Sequence, residues 1–317
     1  MEDIAEIAIS SALAGGLPAL VARLGYHGTP TDRQDAAAVI LHLAGYEDFR
    51  LPLAQAGAFS MLVQMLIDGT PDGKTVAAVA LQNLTDRIET IAAIAAAGAI
   101  DPLVALLCNG TPAGREGAAH TLCNLALHRD NELPIGQSGA IEGLVSLLRE
   151  GTPLGAVAAA AALRNLANNA ENELTIVAAG GIEPLVNLLV GGSPHGRTEA
   201  AGALRNLAVD AENKVVIAAA SAIEPLVVLL VDGTPGGRAE ASGALENLAY
   251  DADNTVAIAA AGAIPALTEL LIGGTLAGQD FAAGALQQMS LNAEYTASIT
   301  AALAASVAKT LVHPPHL

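Results

Sequence analysis

Residues 180–208 read GGIEPLVNLLVGGSPHGRTEAAGALRNLA, and the glycines and prolines that interrupt this segment return every 41 positions along the chain. A Gly-Thr-Pro triplet, or a close variant such as the Gly-Ser-Pro quoted above, begins at Gly28, Gly69, Gly110, Gly151, Gly192, Gly233 and Gly274. A second marker keeps the same spacing, as Gly16, Gly57, Gly98, Gly139, Gly180, Ser221 and Gly262. Seven copies without an insertion or deletion predict a repeat protein, because one short unit buries its apolar face only against its neighbours.

Each copy predicts three helices, whose ends are marked by the recurring Gly, Thr and Pro residues. In one copy a short first helix opens near Asn213, and the second helix starts with an acid and Pro225, which a first turn tolerates. We expect Gly233 to end the second helix as a left-handed C-cap, Thr234 to N-cap the third helix, and Pro235 to lie just inside its start. The third helix places apolar residues at helical spacing toward the core, at Ala241, Ala244, Leu245 and Leu248.

The composition excludes several classes of protein. The 317 residues are 52% apolar but only 2% aromatic, with no Trp, which suits closely packed helices better than a β-sandwich or barrel. With 14 basic against 32 acidic residues the net charge is −18, so we expect neither nucleic acid nor an anionic membrane as a partner. The N-terminus is acidic rather than basic and the chain has two cysteines, which favours a cytoplasmic or nuclear protein over a secreted one.

The strings at residues 180–189 and 199–208 resemble the armadillo repeat nearly position by position, and the match recurs in most copies. The resemblance implies an all-α fold, a right-handed superhelical solenoid whose third helices line a concave groove that holds extended peptides of partner proteins. We expect a single solenoid over residues 1–317, divided into an N-terminal capping repeat, six further repeats, a capping helix and a loose tail at 1–44, 45–290, 291–312 and 313–317. The first of these ranges begins with a helix predicted from Ile4 to about Leu13.

One polar residue keeps its place in the otherwise apolar third helices, and we call this row the asparagine ladder: Asn83, Asn124, Asn165, Asn206 and Asn247. Its ends differ, with His42 and Gln288 at the same position in the first and seventh copies. A carboxamide offers donors and an acceptor, so it can hold the backbone of an extended chain without reading its side chains. With helices roughly 8–10 Å apart the row spans about 32–40 Å, or about ten to twelve extended residues. The alternative is that these amides only satisfy backbone groups between repeats.

The sequence departs from the nuclear-import adaptors that share this repeat. Those adaptors place a Trp one helical turn before each ladder residue, where this chain has Val79, His120, Ala161, Gly202 and Gly243. The stacking of a Lys or Arg stem on an aromatic face, of order 0.5–2 kcal/mol, is therefore missing at these positions. We expect that the protein is not a receptor for nuclear-localisation signals.

Acidic residues gather beside the last two members of the ladder, at Glu199, Asp210, Glu240 and Asp251. From Thr198 onward, 12 acidic residues outnumber 4 basic ones by eight, so a basic peptide would prefer this end. The alternative is that acids crowd helix starts, where the macrodipole favours them, although Glu240 lies several positions inside its helix. A row of bases, expected to be solvated or paired with acids, starts the third helices at Arg33, Lys74, Arg115, Arg197 and Arg238.

Catalytic and metal-binding patterns are not found in the sequence. His120 and His128 lie two helical turns apart, about 12 Å, and Cys108 and Cys123 have no further ligand at metal-binding spacing. We therefore expect no enzyme activity, no cofactor and no metal. The expected partner is a protein or an extended, basic peptide, and the expected state is a monomer, with an end-to-end dimer as the alternative. A second hypothesis, motivated by the lack of insertions, is a recently duplicated, reconstructed or engineered scaffold with no dedicated ligand.

Overall fold

The computed structural model describes residues 16–23 and 29–312, in which the regular structure is entirely α-helical. The predicted helix from Ile4 to about Leu13 and the predicted tail at 313–317 lie outside the described residues. The chain divides into two compact units, Met1–Thr175 and Ile176–Leu317. Taken singly, none of the described helices is long and apolar enough to cross a membrane, whereas five bent helix pairs pass the same test of length and composition.

The described helices follow the predicted order of three per repeat. The first helices are α3 (Glu47–Gln55), α6 (Ile88–Ala96), α9 (Arg129–Gln137), α12 (Ala170–Ala178), α15 (Ala211–Ala219) and α18 (Ala252–Ala260). The second helices are α1 (Leu17–Arg23), α4 (Ala58–Asp68), α7 (Ile100–Asn109), α10 (Ala140–Glu150), α13 (Ile182–Gly191), α16 (Ile223–Asp232) and α19 (Ala263–Gly273). The third helices are α2 (Pro30–Ala44), α5 (Pro71–Leu84), α8 (Pro112–Leu125), α11 (Pro153–Leu166), α14 (Pro194–Leu207), α17 (Pro235–Leu248) and α20 (Leu276–Ser290). A longer helix, α21 (Ala293–Val312), follows the last repeat.

The third helices begin as the Thr-Pro pairs predict. In α8, the Thr111 hydroxyl oxygen accepts a hydrogen bond of 3.1 Å from the backbone N–H of Gly114, while Pro112 occupies the first turn. The same cap is made by Thr70, Thr152, Ser193, Thr234 and Thr275. Each cap satisfies one backbone donor that the first turn leaves over, which typically stabilises a helix by about 1 kcal/mol.

The glycine of the Gly-Thr-Pro triplet has a different role from the one predicted. Gly110 has φ −80° and ψ 175°, which is extended backbone, so the prediction of a left-handed C-cap at these glycines was wrong. A Cβ at Gly110 would collide with the carbonyl oxygen of Leu106 and lie 2.7 Å from its Cδ1. Gly151, Gly192 and Gly233 repeat this close approach. Glycine is therefore required here by lack of space.

The left-handed backbone lies instead at the second marker, between the first and second helices. Gly57, Gly139 and Gly262 have φ of 85°, 82° and 81°. Ser221 holds the same place in its repeat with φ 62°, and it is the non-glycine residue with positive φ in the described chain. An L-residue in this conformation costs roughly 1–2 kcal/mol, so Ser221 is a local source of strain.

Replacing Ser221 by Gly is expected to stabilise the protein. Relief of the left-handed strain exceeds the extra flexibility that Gly gives the unfolded chain, so we expect a gain of about 0.5–1 kcal/mol in the free energy of unfolding. Urea unfolding measured by circular dichroism tests this. The reverse exchange at the matched position, Gly262→Ser, is the control and should cost about 1 kcal/mol. A Ser221→Gly variant no more stable than the parent would contradict the strain assigned to Ser221.

The core lies where third helices pack on one another. Within Met1–Thr175, α2, α5, α8 and α11 contact one another in sequence, and within Ile176–Leu317, α14 contacts α17 and α17 contacts α20. In α17 the predicted core residues Ala241, Ala244, Leu245 and Leu248 are all fully buried, which confirms the helical spacing. The ladder residues lie at the edge of this packed surface, on successive third helices of each unit.

Candidate peptide-binding site

The ladder residues of Met1–Thr175 are half-buried on three successive third helices, α5, α8 and α11. The Asn165 side chain donates a hydrogen bond of 3.0 Å to the backbone carbonyl of Cys123, on the preceding third helix. The Asn124 side chain donates a hydrogen bond of 2.7 Å to the hydroxyl of Thr85, the residue that follows the end of α5. These amides are thus held in place by a tether to the preceding repeat.

The two ladder residues of Ile176–Leu317 are also half-buried, on α14 and α17. The Asn247 amide donates to the backbone carbonyl of Arg205, at 2.9 Å, which repeats the tether of Asn165. At Asn206 the acceptor is engaged as well, because the Arg205 guanidinium Nη2 donates to Oδ1 at 3.3 Å.

Each tether uses one N–H of the carboxamide. Asn165 Nδ2 also donates to Cys123 Sγ, at 3.5 Å. Within the described residues, Oδ1 of Asn124, Asn165 and Asn247 accepts no hydrogen bond, so an acceptor remains at all three positions and a second N–H at Asn124 and Asn247. That pair of groups matches the N–H and C=O of an extended peptide backbone. The tethers agree with the alternative that these amides satisfy backbone groups between repeats. Peptide binding by the ladder stays a prediction.

Two of the four acidic candidates cap first helices. Asp210 Oδ1 accepts from the backbone N–H groups of Glu212 and Asn213, at 2.8 and 3.0 Å, at the start of α15. Asp251 Oδ1 accepts from Asn254 N–H, at 2.9 Å, at the start of α18. Both carboxylates therefore also have a structural role, beside the positive ends of helix dipoles.

The other two acidic candidates lie on the third helices with side chains only 12% and 14% exposed, at Glu199 and Glu240. Glu199 Oε1 is 3.6 Å from His195 Nδ1, one turn earlier on α14. Glu240 Oε2 is 3.3 Å from Arg205 Nε, so the charge of Glu240 is compensated by a neighbouring third helix. The four acids thus lie in two different environments, two at helix starts and two mostly enclosed on third helices.

Sequence reasoning missed Arg205, the residue before Asn206. Its side chain crosses α17, where Gly243 leaves room for the aliphatic stem, and its guanidinium carbon lies 5.2 Å from the ring centroid of Phe281 on α20. Glu246, which precedes Asn247, holds the same position one repeat later, and burial raises the pKa of its carboxyl group. The varied residues before the ladder, Gln82, Cys123, Arg164, Arg205 and Glu246, were the available signal.

A second asparagine row was also missed, although its members keep the 41-residue spacing: Asn131, Asn172, Asn213 and Asn254. All four are buried on first helices. The Asn172 amide donates to the carbonyl of Leu166, at the end of the preceding third helix, and to that of Glu132, at 3.2 and 2.9 Å. This row satisfies carbonyl groups that helix ends leave without a partner.

The side chains considered for metal binding or catalysis are dispersed. His128 caps α9, because its Nδ1 accepts from the backbone N–H of Asp130 at 3.3 Å. Cys108 is exposed, whereas Cys123 is half-buried and supplies the carbonyl that holds Asn165. Across the described ranges, no group of three or more His, Cys, Asp or Glu is arranged to hold a metal ion.

Removing one amide from each row should distinguish their contributions to stability. Asn213 is 4% exposed and donates to the Leu207 carbonyl at 3.1 Å, so Asn213→Ala should cost about 2 kcal/mol by leaving a buried acceptor unpaired. Asn247 is half-buried, and water can replace its tether, so Asn247→Ala should cost at most about 1 kcal/mol. Urea unfolding of both variants tests the difference. Equal losses would show that the ladder is as much a part of the core as the second row.

Comparisons with known proteins agree on the repeat. The family model of the armadillo/beta-catenin-like repeat matches residues 169–209. One similar crystal structure, of an engineered protein from the Northeast Structural Genomics Consortium, has a TM-score of 0.76 and 27% identity over 99% of this chain and 90% of that one. A second engineered protein from the same consortium has a TM-score of 0.67 and 31% identity over 73% of this chain and 98% of that one. No curated protein gave a significant match. The chain belongs to the armadillo-repeat family and is an all-α solenoid of three-helix repeats.

Proposed function

We propose that this protein is an interaction scaffold whose asparagine ladder holds an extended segment of a partner protein. The observation that carries the proposal is the state of Asn124, Asn165 and Asn247: each amide nitrogen is fixed to the protein, while Oδ1 accepts no hydrogen bond from the described residues at all three positions and a second N–H remains at Asn124 and Asn247. Such groups bind backbone rather than side chains. The proposal assigns no catalytic residue, cofactor or metal to the chain.

The ladder belongs to both compact units, with three residues in Met1–Thr175 and two in Ile176–Leu317. Because the third helices of each unit pack in sequence, the amides within a unit recur at the spacing of packed helices, roughly 8–10 Å. An extended chain advances about 3.3 Å per residue, so each repeat would meet about two to three ligand residues. Regular backbone contacts at that interval suit a linear peptide better than a small molecule.

Joint replacement of Asn165, Asn206 and Asn247 by Ala should abolish or greatly weaken binding of extended peptides. Each loss removes a backbone contact worth about 1 kcal/mol, so we expect affinity to fall by about a hundredfold in total. Binding is measured on a peptide array and then by calorimetry on the best binders. Asn187→Ala, an exposed amide on α13, is the matched control and should bind like the parent.

Circular dichroism must show that the triple variant remains helical at the assay temperature. If the folded variant binds the same peptides with the parent's affinity, or if the parent binds no peptide at all, the ladder is not a peptide site.

We further propose that Glu199, Asp210, Glu240 and Asp251 favour positively charged side chains in the partner. Asp210→Asn with Asp251→Asn tests this cleanly, because Asn is as good an N-cap as Asp and preserves α15 and α18. We expect unchanged stability but about threefold to tenfold weaker binding of basic peptides and a weaker dependence on salt, since two half-buried charges are removed. Calorimetry at two ionic strengths measures both effects. Identical salt dependence in parent and variant would assign these two acids to capping alone.

A second candidate function is a repeat scaffold without a dedicated ligand, whether recently duplicated, reconstructed or engineered. It is favoured by the tethers from Asn165 and Asn247, which give the ladder a purely structural role, and by the likeness to two engineered proteins. An experimental crystal structure separates the two candidates. A peptide chain lying across the amides supports the first, and ordered water alone after soaking with the best array peptides supports the second.

A further inference from the structure

Arg205 occupies a well-defined slot on the third-helix face of Ile176–Leu317. Its guanidinium carbon lies 5.2 Å from the centroid of the Phe281 ring, and its Nε lies 3.3 Å from Glu240 Oε2. Its Nη2 donates to Asn206 Oδ1 at 3.3 Å. The side chain is 23% exposed, so the guanidinium is mostly enclosed by protein although it belongs to a surface.

The slot is built by third helices on which Arg205 packs, together with Asn206 Oδ1 on its own helix, α14. Phe281 on α20 supplies an aromatic face and Glu240 on α17 supplies a carboxylate. Gly243 on α17 has no side chain and so leaves room for the Arg205 stem. A Cβ at Gly243 would lie 2.6 Å from Arg205 Cδ and 3.2 Å from Phe281 Cδ2. An aromatic face, a carboxylate and an amide oxygen together fit a planar cation.

Arg205, which occupies this slot, blocks the ladder residue Asn206 from binding a ligand backbone through Oδ1. Asn206 Oδ1 is the atom that would accept a hydrogen bond from a ligand backbone, and Arg205 already donates to it. A peptide that used Asn206 as it would use Asn165 or Asn247 must therefore displace the Arg205 guanidinium. Displacement also opens Glu240 and the face of Phe281 to the ligand.

We infer that this cluster is a guanidinium slot for an arginine side chain of the bound partner, which Arg205 fills in the free protein. The inference rests on the proposed peptide-binding function. An arginine suits the slot better than a lysine, because its planar group stacks on Phe281 while its N–H groups reach Glu240 and Asn206. Arg205 is then a specificity-determining residue that lowers affinity by competing with the ligand.

Removing the occupant should leave a slot that takes a free cation. We expect Arg205→Ala to bind ethylguanidinium with a dissociation constant of about 1–10 mM, as a stacked and ion-paired small cation allows, and the parent to bind at least tenfold more weakly. Titration followed by amide NMR shifts at Gly243 and Phe281 measures and locates the binding. Arg205→Ala with Glu240→Gln should lose it.

Two controls keep the result specific. Arg238→Ala removes the same charge from α17 but from an arginine that donates to the Leu230 carbonyl, so it should bind no more ethylguanidinium than the parent. Arg205→Met keeps an aliphatic stem over Gly243 and should also remain closed. Circular dichroism confirms folding of each variant. No saturable shift in folded Arg205→Ala, or equal shifts in Arg205→Ala and Arg238→Ala, would overturn the slot.

A peptide experiment links the slot to the partner. Among array peptides bound by the ladder, those with arginine should bind Arg205→Ala about threefold to tenfold more tightly than the parent, while their lysine versions should gain less. Equal gains for both would overturn the preference for arginine. Failure of the proposed function is separately visible, because ethylguanidinium binding does not require any peptide to bind.

Discussion

The close packing of each third helix on the next is the constraint on which the repeat depends. The helices meet through Ala, Gly and Leu, and a Cβ at Gly117 would lie only 3.1 Å from Val79 Cγ2 on the preceding third helix. Such close packing leaves little volume for large side chains in the contact, which is why a chain with 2% aromatic residues forms an extensive core. It also fixes the distance at which the ladder amides recur.

Most of the recurring polar residues satisfy backbone groups at helix ends. Three members of the buried row on the first helices, Asn131, Asn172 and Asn213, donate to carbonyls at the ends of third helices. Arg115 and Arg238 donate to carbonyls in the last turns of second helices, Leu107 and Leu230, at 3.0 and 2.9 Å. Of the bases expected to be solvated or paired with acids, Arg33 does pair, with Asp68 at 2.9 Å.

The sequence was sufficient for features that depend on neighbours along the chain. The helix order and the Thr caps follow from residues within a few positions of one another, and both agree with the structure. The glycine of the Gly-Thr-Pro triplet could not be told apart in this way from the second glycine marker. Both are glycines at the end of a predicted helix, where a left-handed turn is common. Only the approach of the Leu106 carbonyl to Gly110 shows that one marker is set by space. The variation at Arg205 was visible in the sequence, but its partner was not, since the contact with Phe281 joins residues far apart along the chain.

In the proposed complex the four acidic candidates would act on the peptide in two ways, by attraction and by exchange of partners. Asp210 and Asp251 each cap a first helix, and in the proposed complex they would attract a basic segment from solution. Glu240 is already compensated by Arg205, and an incoming guanidinium would replace one ion pair by another. The net electrostatic gain of that exchange is small, because one desolvated pair replaces a similar one. Under the proposed function, affinity would then come from the backbone contacts of the ladder, whereas the slot at Glu240 would fix which ligand residue lies opposite Gly243 and so set the register of the peptide.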